Sequence, residues 1–144
     1  MDLEKQFEIA IAAIKNLDEL HKQFMKQIGA LNTPEIEGME LRETDGELQL
    51  TCLSYKFIAK RRPVAANGFF TAIEYSLKAI GQSGEVTIAD FYLQGRSRDL
   101  TSDYAGTDMI CQSGNTYLPD RLGPWVCAQI MNSELCSPHS ASDA

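Results

Sequence analysis

The sequence predicts an α+β fold: a long N-terminal helix packed on an antiparallel β-meander of four to five strands, with a short C-terminal helix. Three observations carry that prediction. An apolar rhythm of helical period runs from Leu3 to Leu31, a period of two broken by turn signals occupies the middle of the chain, and the helical period returns after Pro124. A run of strands between terminal helices favours this layered arrangement over a parallel sheet with helical crossovers.

The first helix rests on Leu3, Phe7, Ala10, Ile14, Leu17, His21, Phe24, Ile28 and Leu31, spaced alternately four and three residues apart. Asp2 suits its N-cap, Lys22 and Lys26 suit the negative end of its dipole, and Gly29 followed by Asn32-Thr33-Pro34 supplies a stop. A helix over about 3–28 is roughly 39 Å long at about 1.5 Å per residue, close to the diameter of a compact domain of this size. It therefore crosses the domain or projects from it. Ile9, Ile11, Ala12, Ala13, Leu20 and Met25 widen the stripe, so that one side can lie on a sheet while another meets a second surface.

Beyond Pro34 the period is two. Met39 and Leu41 alternate with Glu40 and Arg42, Asp45-Gly46 signals a type I′ turn, and Leu48, Leu50 and Cys52 continue the alternation, which makes a hairpin. The apolar set then moves to Leu53, Tyr55 and Phe57, a change of phase expected to mark a bulge or a strand passing its apolar face to the other side. Lys60-Arg61-Arg62-Pro63 and Asn67-Gly68 mark the end of that strand. Residues 69–80 fit both periods. The Asn-Gly signal and the aromatic and Ile content favour a strand; as a helix it would be capped by Asn67 and stopped by Gly81.

Gln82-Ser83-Gly84 reads as a turn, 85–94 as a strand, 95–106 as a polar loop, 107–111 as a short strand and Ser113-Gly114-Asn115 as a turn. Pro124 suits the first position of a helix over 125–135, whose stripe is Val126, Cys127, Ile130, Met131 and Leu135. Apolar residues on both sides of the strands imply that the second sheet face is also partly covered, by the C-terminal helix or a second subunit. The domain is expected over 1–136, followed by a disordered tail over 137–144.

The chain has 144 residues, one core's worth, and its 13 Lys+Arg against 20 Asp+Glu leave a net charge of −7. That balance argues against nucleic acid as a partner and favours a basic one. No apolar run is long enough for a membrane span, and the acidic start lacks the pattern of a signal peptide, so a cytoplasmic location is expected. Cys52, Cys111, Cys127 and Cys136 include no Cys-x-x-Cys pair and read as reduced thiols. Cys136-x-x-His139, with Cys127 upstream, is the one local cluster of metal-binding types, too sparse for structural zinc. No metal and no cofactor is called for: neither phosphate-cradling glycine motif occurs, and Gly81-Gln82-Ser83-Gly84 and Cys111-Gln112-Ser113-Gly114 are incomplete nucleophile elbows.

Two sets of residues remain. Glu74 and Asp90 are acids inside strands, where Asp is depleted, and with Tyr75 and Tyr92 they are candidates for lining a ligand cavity between sheet and helix. One carboxyl with a raised pKa, oriented by Tyr92 or Arg62, would act as a general acid or base; a cross-strand ion pair with Arg62 or Lys56 is the plainer alternative. Phe7, Ile14, Leu17, His21, Phe24 and Ile28 are candidates for an interface; His21 in a heptad-core position can set register and partner number, and the plainer alternative is a His at the edge of the stripe bonded to water or to a neighbouring carboxylate. The basic run Lys56, Lys60, Arg61, Arg62 near Tyr55, Phe57 and Tyr92 is the weaker pattern for stacking single-stranded bases. The leading expectation is a non-enzymatic binding or assembly module, homodimeric through the long helix or a sheet face, with a protein or small molecule as further partner. The alternative is a small-molecule-binding protein or acid/base enzyme with its cavity between sheet and helix.

Overall fold

The computed structural model describes residues 2–30, 38–81, 85–112 and 118–138. The stop at Asn32-Thr33-Pro34, the turns at Gln82-Ser83-Gly84 and Ser113-Gly114-Asn115, and the tail from residue 139 onward lie outside the described residues. Helix α1 (Leu3–Gly29) starts where the Asp2 carboxylate accepts the Lys5 backbone N–H at 2.7 Å, satisfying one of the donors a helix start leaves open. Seven strands follow: β1 (Met39–Thr44), β2 (Glu47–Cys52), β3 (Tyr55–Ala66), β4 (Phe69–Ala79), β5 (Thr87–Gln94), β6 (Leu100–Thr101) and β7 (Met109–Cys111). Helix α2 (Leu118–Met131) closes the order. The strands form one antiparallel sheet in chain order, a meander with seven members rather than four to five.

The extra strands have identifiable origins. The phase change after Cys52 is a chain reversal, not a bulge: Leu53-Ser54 forms a two-residue turn with φ of 53° and 72°, and Cys52 pairs with Tyr55. Such a turn steps three residues from one strand to the next, so the inward set passes from even numbers on β2 to odd numbers on β3. Asp45-Gly46 and Asn67-Gly68 make the same kind of turn with the residues that tolerate positive φ. Within the expected polar loop Leu100–Thr101 forms the short strand β6, and the short strand expected at 107–111 is β7.

Lys60-Arg61-Arg62-Pro63 does not end β3, which continues to Ala66. Past Ala59 the strand has left its β2 partner and pairs with β4 alone, so Pro63 sits on a free edge where its missing N–H does no harm. The ambiguous segment is strand β4, pairing with β3 and β5 along almost its whole length. Helix α2 begins six residues before Pro124, which lies inside it, and ends at Met131 rather than Leu135.

A helix of 14 residues that reached both edges of a flat seven-stranded sheet would have to lie across it and pass over β3 and β4, with which α2 makes no comparable contact. Yet α2 touches both β1 and β7, as well as β2 and β5. The sheet is therefore curled around it. Helix α1 lies over β4, β1 and β2. Both helices fill the same concave face: Leu50, Phe57, Tyr75, Leu77 and Phe91 from the sheet join Leu17, Phe24 and Ile28 of α1 and Leu122, Val126 and Ile130 of α2 in one core.

Only half of α1 takes part. Leu17, Leu20, His21, Phe24, Met25 and Ile28 are buried, whereas Leu3, Phe7 and Ile11 are 81%, 68% and 41% exposed. Leu3 and His21, and likewise Phe7 and Met25, are 18 residues apart, five whole turns, so they face the same way. The apolar seam is continuous, and the fold covers its C-terminal part.

Candidate functional site

Side chains alternate along a strand, and this divides the four candidate ligand residues. Tyr75 points into the core, fully buried, stacked on Phe91 with ring centres 5.1 Å apart and edge-on to Phe24 at 5.7 Å. Glu74, Asp90 and Tyr92 lie on the opposite, convex face.

The Tyr75 hydroxyl meets His21 Nδ1 at 2.8 Å, and His21 Nε2 meets the Gly46 carbonyl oxygen at 2.6 Å. A carbonyl only accepts, so Nε2 carries the proton and the neutral ring accepts the Tyr75 O–H at Nδ1. Burial lowers the His21 pKa, opposed by the bond to Gly46, and burial pushes the Tyr75 hydroxyl far up. His21 thus belongs to the chain's own core, together with three other interface candidates, Leu17, Phe24 and Ile28. Ile14 is half-buried and Phe7 is open to solvent.

On the convex face, register sets Arg62 opposite Glu74 and Glu74 opposite Tyr92. Arg62 Nε donates to Glu74 Oε1 at 2.7 Å and the Tyr92 hydroxyl donates to Oε2 at 3.1 Å. The bond from Arg62 holds the Glu74 carboxyl below the usual range, against the effect of its burial. A carboxylate kept ionised in this way is a cross-strand ion pair, not the raised-pKa acid that general-acid chemistry requires. Asp90 accepts the Ser76 hydroxyl at 2.6 Å from directly across the strands. The basic run is divided as well: Arg61 reaches Asp18 of α1 at 3.7 Å while Arg62 turns to Glu74 on the other side.

A cleft of about 370 Å³ opens beside this row. It exists because β5 has eight residues and β6 two: β6 pairs only with Tyr92 and Leu93, leaving the first part of β5 without a strand neighbour on that side. One wall is β5 with Asp90 and Tyr92, the second is Trp125 and Gln129 of α2, and the third is Ser102 and Asp108 of the β6–β7 loop. That loop is tightly bonded. The Asp103 carboxylate accepts the backbone N–H groups of Thr107 and Asp108, each at 2.9 Å, and Ser102 N–H bonds to the Asp108 carbonyl at 2.9 Å. The Ser102 hydroxyl also donates to the Asp108 carboxylate.

Sequence reasoning found Asp90 and Tyr92 but not Ser102, Asp108, Trp125 or Gln129, which are brought in by chain geometry rather than by spacing. Among the described residues no group of three or more His, Cys, Asp and Glu gathers as a metal site, and no helix is long and apolar enough to cross a membrane. His139 of the sparse Cys/His cluster lies outside the described residues, and all four cysteines are free thiols. No family model matches the chain, and neither a curated protein nor a solved structure is significantly similar to it.

Proposed function

We propose that the protein is a non-enzymatic assembly module that pairs with a second copy of itself through the N-terminal half of α1. The observation that carries this reading is the uncovered start of the seam: Leu3 and Phe7 stand in solvent on the side of the helix that is buried further along, with Ile11 beside them 41% exposed. Large apolar groups in contiguous exposed patches mark interaction surfaces.

Charge supports a second copy as the occupant. Exposed Glu4, Glu8 and Lys15 line one flank of the stripe, with acids toward its start and the base toward its middle. In an antiparallel pair of such helices, like flanks meet and each acidic end lies against the partner's lysine. A two-fold pair is also the commonest oligomer of small proteins.

Sedimentation equilibrium of the wild type and of Phe7→Asp tests the proposal. The wild type is expected as a dimer and Phe7→Asp as a folded monomer, because Phe7 is 68% exposed in the single chain. A wild type that stays monomeric near 1 mM, or a Phe7→Asp dimer of unchanged affinity, overturns it.

A further inference from the structure

The cleft between β5 and α2 carries an inference independent of self-association. Its lining combines two carboxylates, Asp90 and Asp108, with the Tyr92 and Trp125 rings and two neutral hydrogen-bonding groups, Ser102 and Gln129. Among the described residues no Lys, Arg or His lines it. Arg62, whose charge interacts with Asp90, is bonded to Glu74. Opposed carboxylates without a lining base set a negative potential, and aromatic faces beside them favour a positive charge over a neutral group. The volume falls at the low end of small-ligand pockets, about 300–1,000 Å³.

The walls are held before any ligand arrives. Asp90 is fixed by Ser76 on a sheet strand, Asp108 by the bonded β6–β7 loop, and Trp125 by its edge-on contact with Phe91, ring centres 6.0 Å apart. Groups held in place by packing and hydrogen bonds lose little freedom on binding. We propose that this cleft binds a small organic cation, an ammonium-bearing molecule whose charge lies between Asp90 and Asp108 and whose carbon skeleton lies against Trp125 and Tyr92.

Trp125 is the single tryptophan of the chain, so its fluorescence reports on the cleft directly. Choline and n-butylammonium are the probes, and n-butanol is the neutral control. Expected is a saturable change in emission with one or both cations below about 10 mM and none with n-butanol. Asp90→Asn and Asp108→Asn keep an acceptor for the serine hydroxyls and should each weaken binding by about tenfold or more. Gln129→Glu, which adds a third carboxylate to the rim, should tighten it, and Asp45→Asn on the β1–β2 turn should leave it unchanged. A lack of saturable response to both cations, an equal response to n-butanol, or unchanged affinity in both Asn variants overturns the proposal. Repeating the titration on Phe7→Asp keeps the result separate from the state of assembly.

Discussion

The two halves of α1 share one heptad rhythm and meet opposite fates. From Leu17 to Ile28 the seam is sealed against β1, β2 and β4, and at Leu3 and Phe7 it stands in water. The pattern of apolar residues tells which side of a helix seeks cover, but what supplies the cover is decided by how far the sheet extends beneath it. A rhythm that looks like a single coiled-coil seam is thus a core in one half and a free surface in the other.

Substitution by a charge should separate the two halves most clearly. Phe24 is 6% exposed and packs edge-on to Tyr75, so Phe24→Asp is expected to lose more than about 4 kcal/mol and to unfold the domain. Phe7→Asp should change stability by no more than about 0.5 kcal/mol in the monomer, and urea titration of both variants checks the contrast. If both unfold the protein, the exposed half is core after all.

A second contrast is in pH. The folded state lowers the His21 pKa chiefly by burial, so below about pH 6.5 the unfolded chain takes up a proton that the folded chain resists. Stability from this group is complete above that pH and falls as the pH drops through the window between the unfolded and the folded value, with a slope of at most about 1.4 kcal/mol per unit. Denaturation of wild type and His21→Gln at pH 7.5 and 5.5 isolates it, since the carboxylates common to both cancel. The wild type should lose more stability on acidification than the variant.

The most local effect belongs to the N-cap. Asp2→Ala removes the acceptor for Lys5 N–H and is expected to lower stability by about 1 kcal/mol or less. Amide exchange should quicken through the first turns of the exposed half and stay unchanged from Leu17 onward.

Much of the fold was legible because local chemistry and tertiary structure agree. Asp2, Asp45-Gly46 and Asn67-Gly68 act as their residue types imply, and β4 resolves as a strand where the Asn-Gly signal and aromatic content pointed. The misreadings have physical causes. Leu53-Ser54 adopts positive φ without Gly or Asn, so the β2–β3 hairpin carries no turn signature. By residue type Pro63 signals a strand end and Pro124 a helix start, but one sits on a free strand edge and the other within a helix. At the site, strand alternation was sufficient to separate Tyr75 from Glu74 once β4 was a strand. The cleft depended on the two-residue length of β6, and no side-chain pattern encodes where a strand stops pairing with its neighbour.

The imidazole of His21 ties together segments that are far apart along the chain, the helix at 21, the first hairpin turn at 46 and the fourth strand at 75. Its two nitrogens are satisfied only when all three have arrived, and a partly assembled core would bury one of them bare. Docking of the rod onto the meander with one of the three out of place is thereby penalised. The ring acts as a checkpoint that discriminates against incompletely closed forms, a role set by connectivity and independent of any ligand or partner.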